Sequence, residues 1–89
     1  MDFITERNMI YVCSDEKIVA EVTFPNIDDT TVDINHTFVD PSLRGQGIAQ
    51  KLLILAYETI KQQGYKAVAT CPYAVKFFNE NKVYQDILK

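Results

Sequence analysis

The run Val39-Asp-Pro-Ser-Leu-Arg-Gly-Gln-Gly-Ile-Ala49 constrains this chain more than any other stretch, because it carries an alternating strand pattern into a long helical one through two glycines. The first turn of a helix has backbone N–H groups with no intrahelical partner, and its dipole places about half a positive charge there. Main chain alone can therefore hold an anion. A Cβ at Gly45 or Gly47 would stand between those amides and a phosphate oxygen, so glycine is what lets the backbone approach. Arg44 adds a fixed cation. An ordinary turn into a helix is the competing reading, and it leaves the arginine and the glycine spacing without a reason.

Two common phosphate sites do not fit. A P-loop needs Gly-Lys-Ser/Thr at the helix entrance, where this chain has Gly47-Ile-Ala49. A dinucleotide fingerprint counted from Gly45 needs Gly or Ala where Gln50 stands, together with a parallel βαβ unit. The pattern Arg44-x-x-Gly47-x-Ala49, after Val39-Asp-Pro41 and before Leu52-Leu53, resembles the coenzyme A pyrophosphate loop of the GNAT N-acetyltransferase superfamily. That resemblance implies acetyl-CoA as cosubstrate, held by Phe38, Val39, Arg44, Gly45, Gln46, Gly47, Ile48 and Ala49, with Val39 pairing with the pantetheine arm. Lys51, one turn into the helix, is a further candidate cation.

Around this junction the sequence reads as βββαβα in one domain, residues 1–89. Met9 to Cys13 is a short apolar run, Ser14 to Lys17 a polar turn, and Ile18, Ala20, Val22 and Phe24 share one face of a second strand. After a turn at Pro25 to Asp29, the residues Val32, Ile34, His36 and Phe38 alternate with Asp33, Asn35 and Thr37, which predicts a third strand in a meander. Ala49, Leu52, Leu53, Ala56 and Ile60 recur at helical spacing between Gln46 and Gln63, and Gly64 caps that helix. Lys66 to Thr70 reads as a buried strand, Pro72 opens a short helix through Asn79, and Tyr84 to Leu88 is a last strand or helical turn. The resulting fold class is α/β (α+β), a GNAT-like mixed, mostly antiparallel sheet. It lacks the helices that the superfamily usually places between its first strands, because Ser14 to Lys17 is too short to hold them. A short single-domain subfamily is similar in that absence, in the His36-Thr-Phe-Val39 strand and in the Cys71-Pro-Tyr73 segment.

Composition limits the partners. A chain of 89 residues with a formal charge of −3 has no excess of Lys and Arg to reward nucleic acid or an anionic membrane, so neither is expected. It shows neither a signal-peptide pattern nor an apolar run of the ~18 residues that would span a bilayer, which predicts a cytoplasmic protein. Cys13 and Cys71 lie far apart with no Cys-x-x-Cys pair, so free thiols and no metal are expected. A monomer is the expected state, and the acceptor, an amine or a protein, is left open.

Three residues are candidates for chemistry. Cys71 stands between a strand and a helix N-terminus, where the dipole favours a thiolate, and is either an acyl-handling nucleophile or a buried packing residue. Cys13 is expected in the core of a hairpin strand. His36, the only histidine, is the candidate base. Alternation places it with Val32, Ile34 and Phe38 on the core face unless a β-bulge before the loop turns it toward the cleft. In the short subfamily an acidic residue commonly holds the place of Phe38, and many GNAT enzymes have a leaving-group tyrosine where Ala74-x-x-x-Phe78 ends here in phenylalanine. Tyr73 is the nearest replacement acid. The leading expectation is an acetyl-CoA-dependent N-acetyltransferase-like protein. The alternatives are an acetyl-CoA or CoA-binding module without efficient transfer, and a scaffold acting only through a protein partner.

Overall fold

Alternation and short polar turns build the first half of the molecule, of which the computed structural model describes residues 2–89. The strands are β1 (Phe3–Glu6), β2 (Met9–Ser14), β3 (Lys17–Thr23), β4 (Thr31–Ile34) and β5 (His36–Val39). They are followed by a 3-10 turn at Pro41–Leu43, α1 (Ile48–Gln62), β6 (Lys66–Ala69), α2 (Pro72–Glu80) and a second 3-10 segment at Lys82–Ile87. β1, β2, β3 and β5 form an antiparallel sheet in that order, and β4 pairs in parallel with β6. β1 is an addition to the expected order. It forms opposite β2 with Phe3 beside Val12 and packs Phe3 partly into the core.

The β2–β3 hairpin closes through Asp15 and Glu16, whose φ values of 51° and 63° give the mirror-image turn that matches strand twist. Ile10, Val12, Ala20, Val22 and Phe24 point inward and are fully or almost fully buried. Each of these side chains except the single methyl of Ala20 contributes about 1.5–3 kcal/mol relative to exposure. Ile18, expected with them, is 43% exposed beside the turn of the hairpin. Cys13, expected in the core, is exposed too, because the register shifts between Val12 and Cys13 and the strand turns outward there.

The expected third strand is two strands. Thr23 faces His36 in one register and Asn26 bridges Val32 in the other, so three residues of one chain segment span four of the opposing one. Asn35 is the extra residue. Its amide reaches Thr23 O at 3.3 Å, and its Oδ1 accepts from the Thr23 hydroxyl at 2.7 Å. This bulge flips the alternation. Val32 and Ile34 before it are fully buried, whereas after it Thr37 and Val39 turn inward and His36 and Phe38 turn outward.

Beyond the bulge β5 diverges from β6. The parallel β4–β6 ladder ends at Ile34 and Ala69, and the amides of Thr70 and Cys71 both donate to Ile34 O at 3.1 and 3.2 Å. α1 covers the inner sheet face with Ile48, Leu52, Leu53, Ala56, Tyr57 and Ile60. It stops where Gly64, at φ 76°, lets its own amide reach Lys61 O and that of Tyr65 reach Ile60 O. The Tyr84 to Leu88 region is mostly 3-10, pinned by a parallel bridge of Leu88 to Ala67 and by the stacking of Tyr84 on Phe77 at 5.2 Å. Among the described residues no helix is long and apolar enough to cross a membrane.

Candidate functional site

The junction after β5 is built to leave donors free. Asp40 caps the 3-10 turn, accepting from Ser42 N at 2.9 Å and Ser42 Oγ at 2.7 Å, and those bonds hold its carboxyl below the usual range. Gly45 and Gly47 follow at φ 83° and 74°, values that cost an L side chain about 1–2 kcal/mol. The first α1 amide with a protein partner is that of Lys51, bonded to Gly47 O at 3.1 Å. Among the described residues, the amides from Gly45 to Gln50 donate to no protein acceptor.

Those amides border a cavity of about 290 Å³ between the loop and α2. Val39, Arg44, Gly45, Gly47, Ile48 and Ala49 form one wall with Leu43, Gln50 and Leu53. Tyr73, Lys76, Phe77, Glu80 and Asn81 form the other. Of the expected ligand-holding residues, Phe38 and Gln46 are not on either wall. Nor is Lys51, whose Nζ lies 5.2 Å from the centre of the Phe3 ring. Arg44 is tethered only by its Nε to Val39 O at 3.5 Å, which leaves the rest of its guanidinium available. Lys76 has no ion pair or hydrogen bond among the described residues. Sequence reasoning passed it over. The spacing 73, 76, 77, 80 along α2 is one helical face, and that periodicity was the available signal.

Cys71 is not on either wall; it is the N-cap of α2 and 4% exposed, with Sγ 3.4 Å from Thr37 Oγ1. The β5 edge beside it has unspent backbone groups. The bond from Asp40 N to Val19 O, repeated at every second residue of an antiparallel ladder, turns the amides and carbonyls of Phe38 and His36 toward β3. Those of Thr37 and Val39 consequently face the separated edge. Tyr73, in the first turn of α2, is 47% exposed beside the cavity.

His36 is not brought together with Cys71. Its ring lies on the outer face of β5, with Nε2 3.0 Å from Glu21 Oε2 and its side chain 52% exposed. Phe78 is packed in the core against Phe77, ring centres 5.1 Å apart. No group of three or more His, Cys, Asp or Glu that could hold a metal occurs among the described residues.

Comparison with known proteins bears on the whole chain. The family model for GCN5-related N-acetyl-transferases matches residues 7–87. Protein NATD1 of Xenopus tropicalis is 35% identical over 66 residues, covering 74% of this chain and 61% of that protein. The human protein of the same name is 33% identical over 66 residues, covering 74% and 58%. This chain thus matches less than two thirds of the length of those relatives. Among solved structures, a GCN5-like protein of Staphylococcus aureus superposes with a TM-score of 0.81 at 28% identity, over 99% of this chain and 87% of its own. Rv2747 of Mycobacterium tuberculosis, solved in complex with CoA, shares the fold at a TM-score of 0.65 and 14% identity, over 82% of this chain and 46% of its own. The sheet that parts after a bulge, the two-glycine helix entrance and the family match over residues 7–87 lead to one assignment: this chain belongs to the GCN5-related N-acetyltransferase family.

Proposed function

We propose that the chain binds acetyl-CoA in the cavity between the Gly45–Ala49 loop and α2 and acts on its acetyl group. The observation that carries this reading is the row of unpartnered amides from Gly45 to Gln50 facing a cavity that Arg44 and Lys76 also line. A diphosphate takes hydrogen bonds from such amides and charge from the two cations. The pantetheine arm then runs toward Cys71 along the β5 edge, where Thr37 and Val39 offer amides and carbonyls in strand-like pairing. The thioester lies nearest Cys71 and Thr37.

In the transfer reading, Cys71 Sγ attacks the thioester carbonyl carbon. The bond from that carbon to the CoA sulfur breaks, and the proton leaving Cys71 ends on the released CoA thiol. Acetyl-Cys71 then passes its acetyl group to an acceptor amine: the bond from the carbonyl carbon to Cys71 Sγ breaks and the amine's proton returns to that sulfur, a step that His36, on the outer face of β5, is not placed to serve. Tyr73, beside the cavity, is the candidate relay for the first step, taking up the proton from Cys71 as it gives its own to the departing CoA thiolate. A binding module without efficient transfer is the second reading. It is favoured by the depth of Cys71 and by Phe78, which puts a ring without a hydroxyl in the core.

Calorimetric titration with acetyl-CoA followed by intact mass analysis tests both readings. The first expects one-to-one binding and an acetyl adduct that Cys71→Ala removes while CoA affinity is kept. Binding with neither adduct nor turnover selects the second. The exposed Cys13 serves as an internal control, because it should alkylate readily whether or not CoA is bound.

A further inference from the structure

The face of the four-stranded sheet turned away from α1 carries residues that the coenzyme site does not use. Strand register lays them in two rows: Ile4, Tyr11, Glu21 and Phe38 in one, Glu6, Met9, Thr23 and His36 in the next. α1 packs on the opposite face, through the side of the sheet that holds Ile10, Val12, Ala20 and Val22, and α2 packs on α1 and β6.

Glu21 sits one strand spacing, about 4.8 Å, from Tyr11 on one side and Phe38 on the other. Its side chain is 22% exposed, and His36 engages only one of its two oxygens. A carboxylate between two aromatic rings suits a cation, since the charge and both ring faces attract it together. The rest of the face agrees. Glu6 and Glu21 are its carboxylates, His36 is its one basic group, and neither row contains Lys or Arg. The local field is registered at Tyr11, whose phenol is pushed up first by desolvation and then by the charge of Glu6 and Cys13.

The shape of the face selects the kind of molecule. The two best-formed cavities among the described residues lie elsewhere, at the α1–α2 groove and between β6 and α2, and a free small amine needs a concavity to bury it. An extended chain can instead lie across a flat sheet, with Ile4 (40% exposed) and Met9 meeting its apolar atoms. We propose that this face docks a lysine-bearing polypeptide segment, with the ε-ammonium seated on Glu21 between Tyr11 and Phe38. The proposal rests on the acetyl-transfer reading in treating this segment as part of an acceptor polypeptide; Thr37, between His36 and Phe38 in sequence, meets Cys71 on the other face of the same strand, so the seated ammonium anchors the segment and is not itself the group acetylated.

The test is an amide-shift titration of the isotopically labelled protein with a short blocked peptide holding one central lysine. Companion titrations use the norleucine version of the peptide and free lysine amide. Shifts should centre on Tyr11, Glu21, His36 and Phe38. Binding should weaken about tenfold or more with norleucine and in Glu21→Gln, while the variant keeps its CoA affinity. Equal binding of the norleucine peptide, no effect of Glu21→Gln, shifts elsewhere, or a free lysine amide as tight as the peptide would each overturn the proposal. A parent protein that ignores CoA sinks the coenzyme reading by itself. One that binds CoA and shows no lysine-dependent shifts sinks the docking surface alone.

Discussion

Replacing Gly47 by alanine separates backbone strain from ligand exclusion, because Gly64 supplies a matched control. The two glycines have φ values of 74° and 76°, and a Cβ built on either meets nothing within 4 Å. Steric crowding is therefore absent at both, and the stability cost is the left-handed conformation alone, about 1–2 kcal/mol at each. For a domain of this size each kcal/mol lowers Tm by roughly 4–8 °C, so both variants should melt earlier by similar amounts and remain folded. Their ligand behaviour should differ. The Gly47 methyl enters the wall of the cavity proposed for the diphosphate, whereas Gly64 closes α1 away from it. Losing one amide bond to a charged oxygen costs about 1.5–3 kcal/mol, or roughly tenfold to one-hundredfold in affinity. Thermal unfolding and CoA calorimetry on both variants measure the two effects. Equal CoA affinity in Gly47→Ala and Gly64→Ala, with both folded, would refute the assignment of the loop.

Arg44→Ala should leave stability nearly unchanged, since only the 3.5 Å bond to Val39 O is lost, and should weaken CoA by about 1–3 kcal/mol at low salt, less at high salt. Unchanged low-salt affinity would remove Arg44 from the site. Phe78→Tyr restores a hydroxyl where related patterns carry one, yet the ring is 2% exposed against Phe77. Denaturant melts should show a loss of about 1–3 kcal/mol with no gain in acetyl transfer, whereas a faster enzyme would contradict the packing argument. Asp86 is held below its ordinary carboxyl range by hydrogen bonds from Lys61 and Tyr57, and its folded value is thus depressed. Its contribution is present above about pH 4 and fades as pH falls through the folded value. Asp86→Asn should accordingly flatten the acid limb of a urea-midpoint profile; an identical limb would deny the link.

Much of this architecture was legible because it obeys simple periods. The stripe Leu52, Leu53, Ala56 and Ile60, the stop at Gly64 and the start at Pro72 are local signals, and the chain follows each. That Val39, Arg44, Gly45, Gly47, Ile48, Ala49 and Tyr73 line one cavity was legible for the same reason: they belong to one loop and the nearest helix start. What escaped depends on pairing between distant strands. Alternation from Val32 to Phe38 looks continuous, and only the register against Thr23 and Asn26 reveals that Asn35 is extra. That one residue moves His36 and Phe38 to the outer face and aims Thr37 at Cys71. The shift after Val12 does the same to Cys13. Lys76 escaped because a lone lysine on a short helix has no local mark until the opposing wall is known.

The account stands or falls on where CoA binds. Amide shifts recorded during a CoA titration of the labelled protein should saturate at one equivalent. The largest changes should fall on Val39, on Arg44 to Gln50 and on the Tyr73 to Phe77 face of α2, with little change at Glu6 or Met9 on the outer sheet face. No saturable shifts, or shifts concentrated on that outer face with the Gly45–Ala49 amides unmoved, would contradict it.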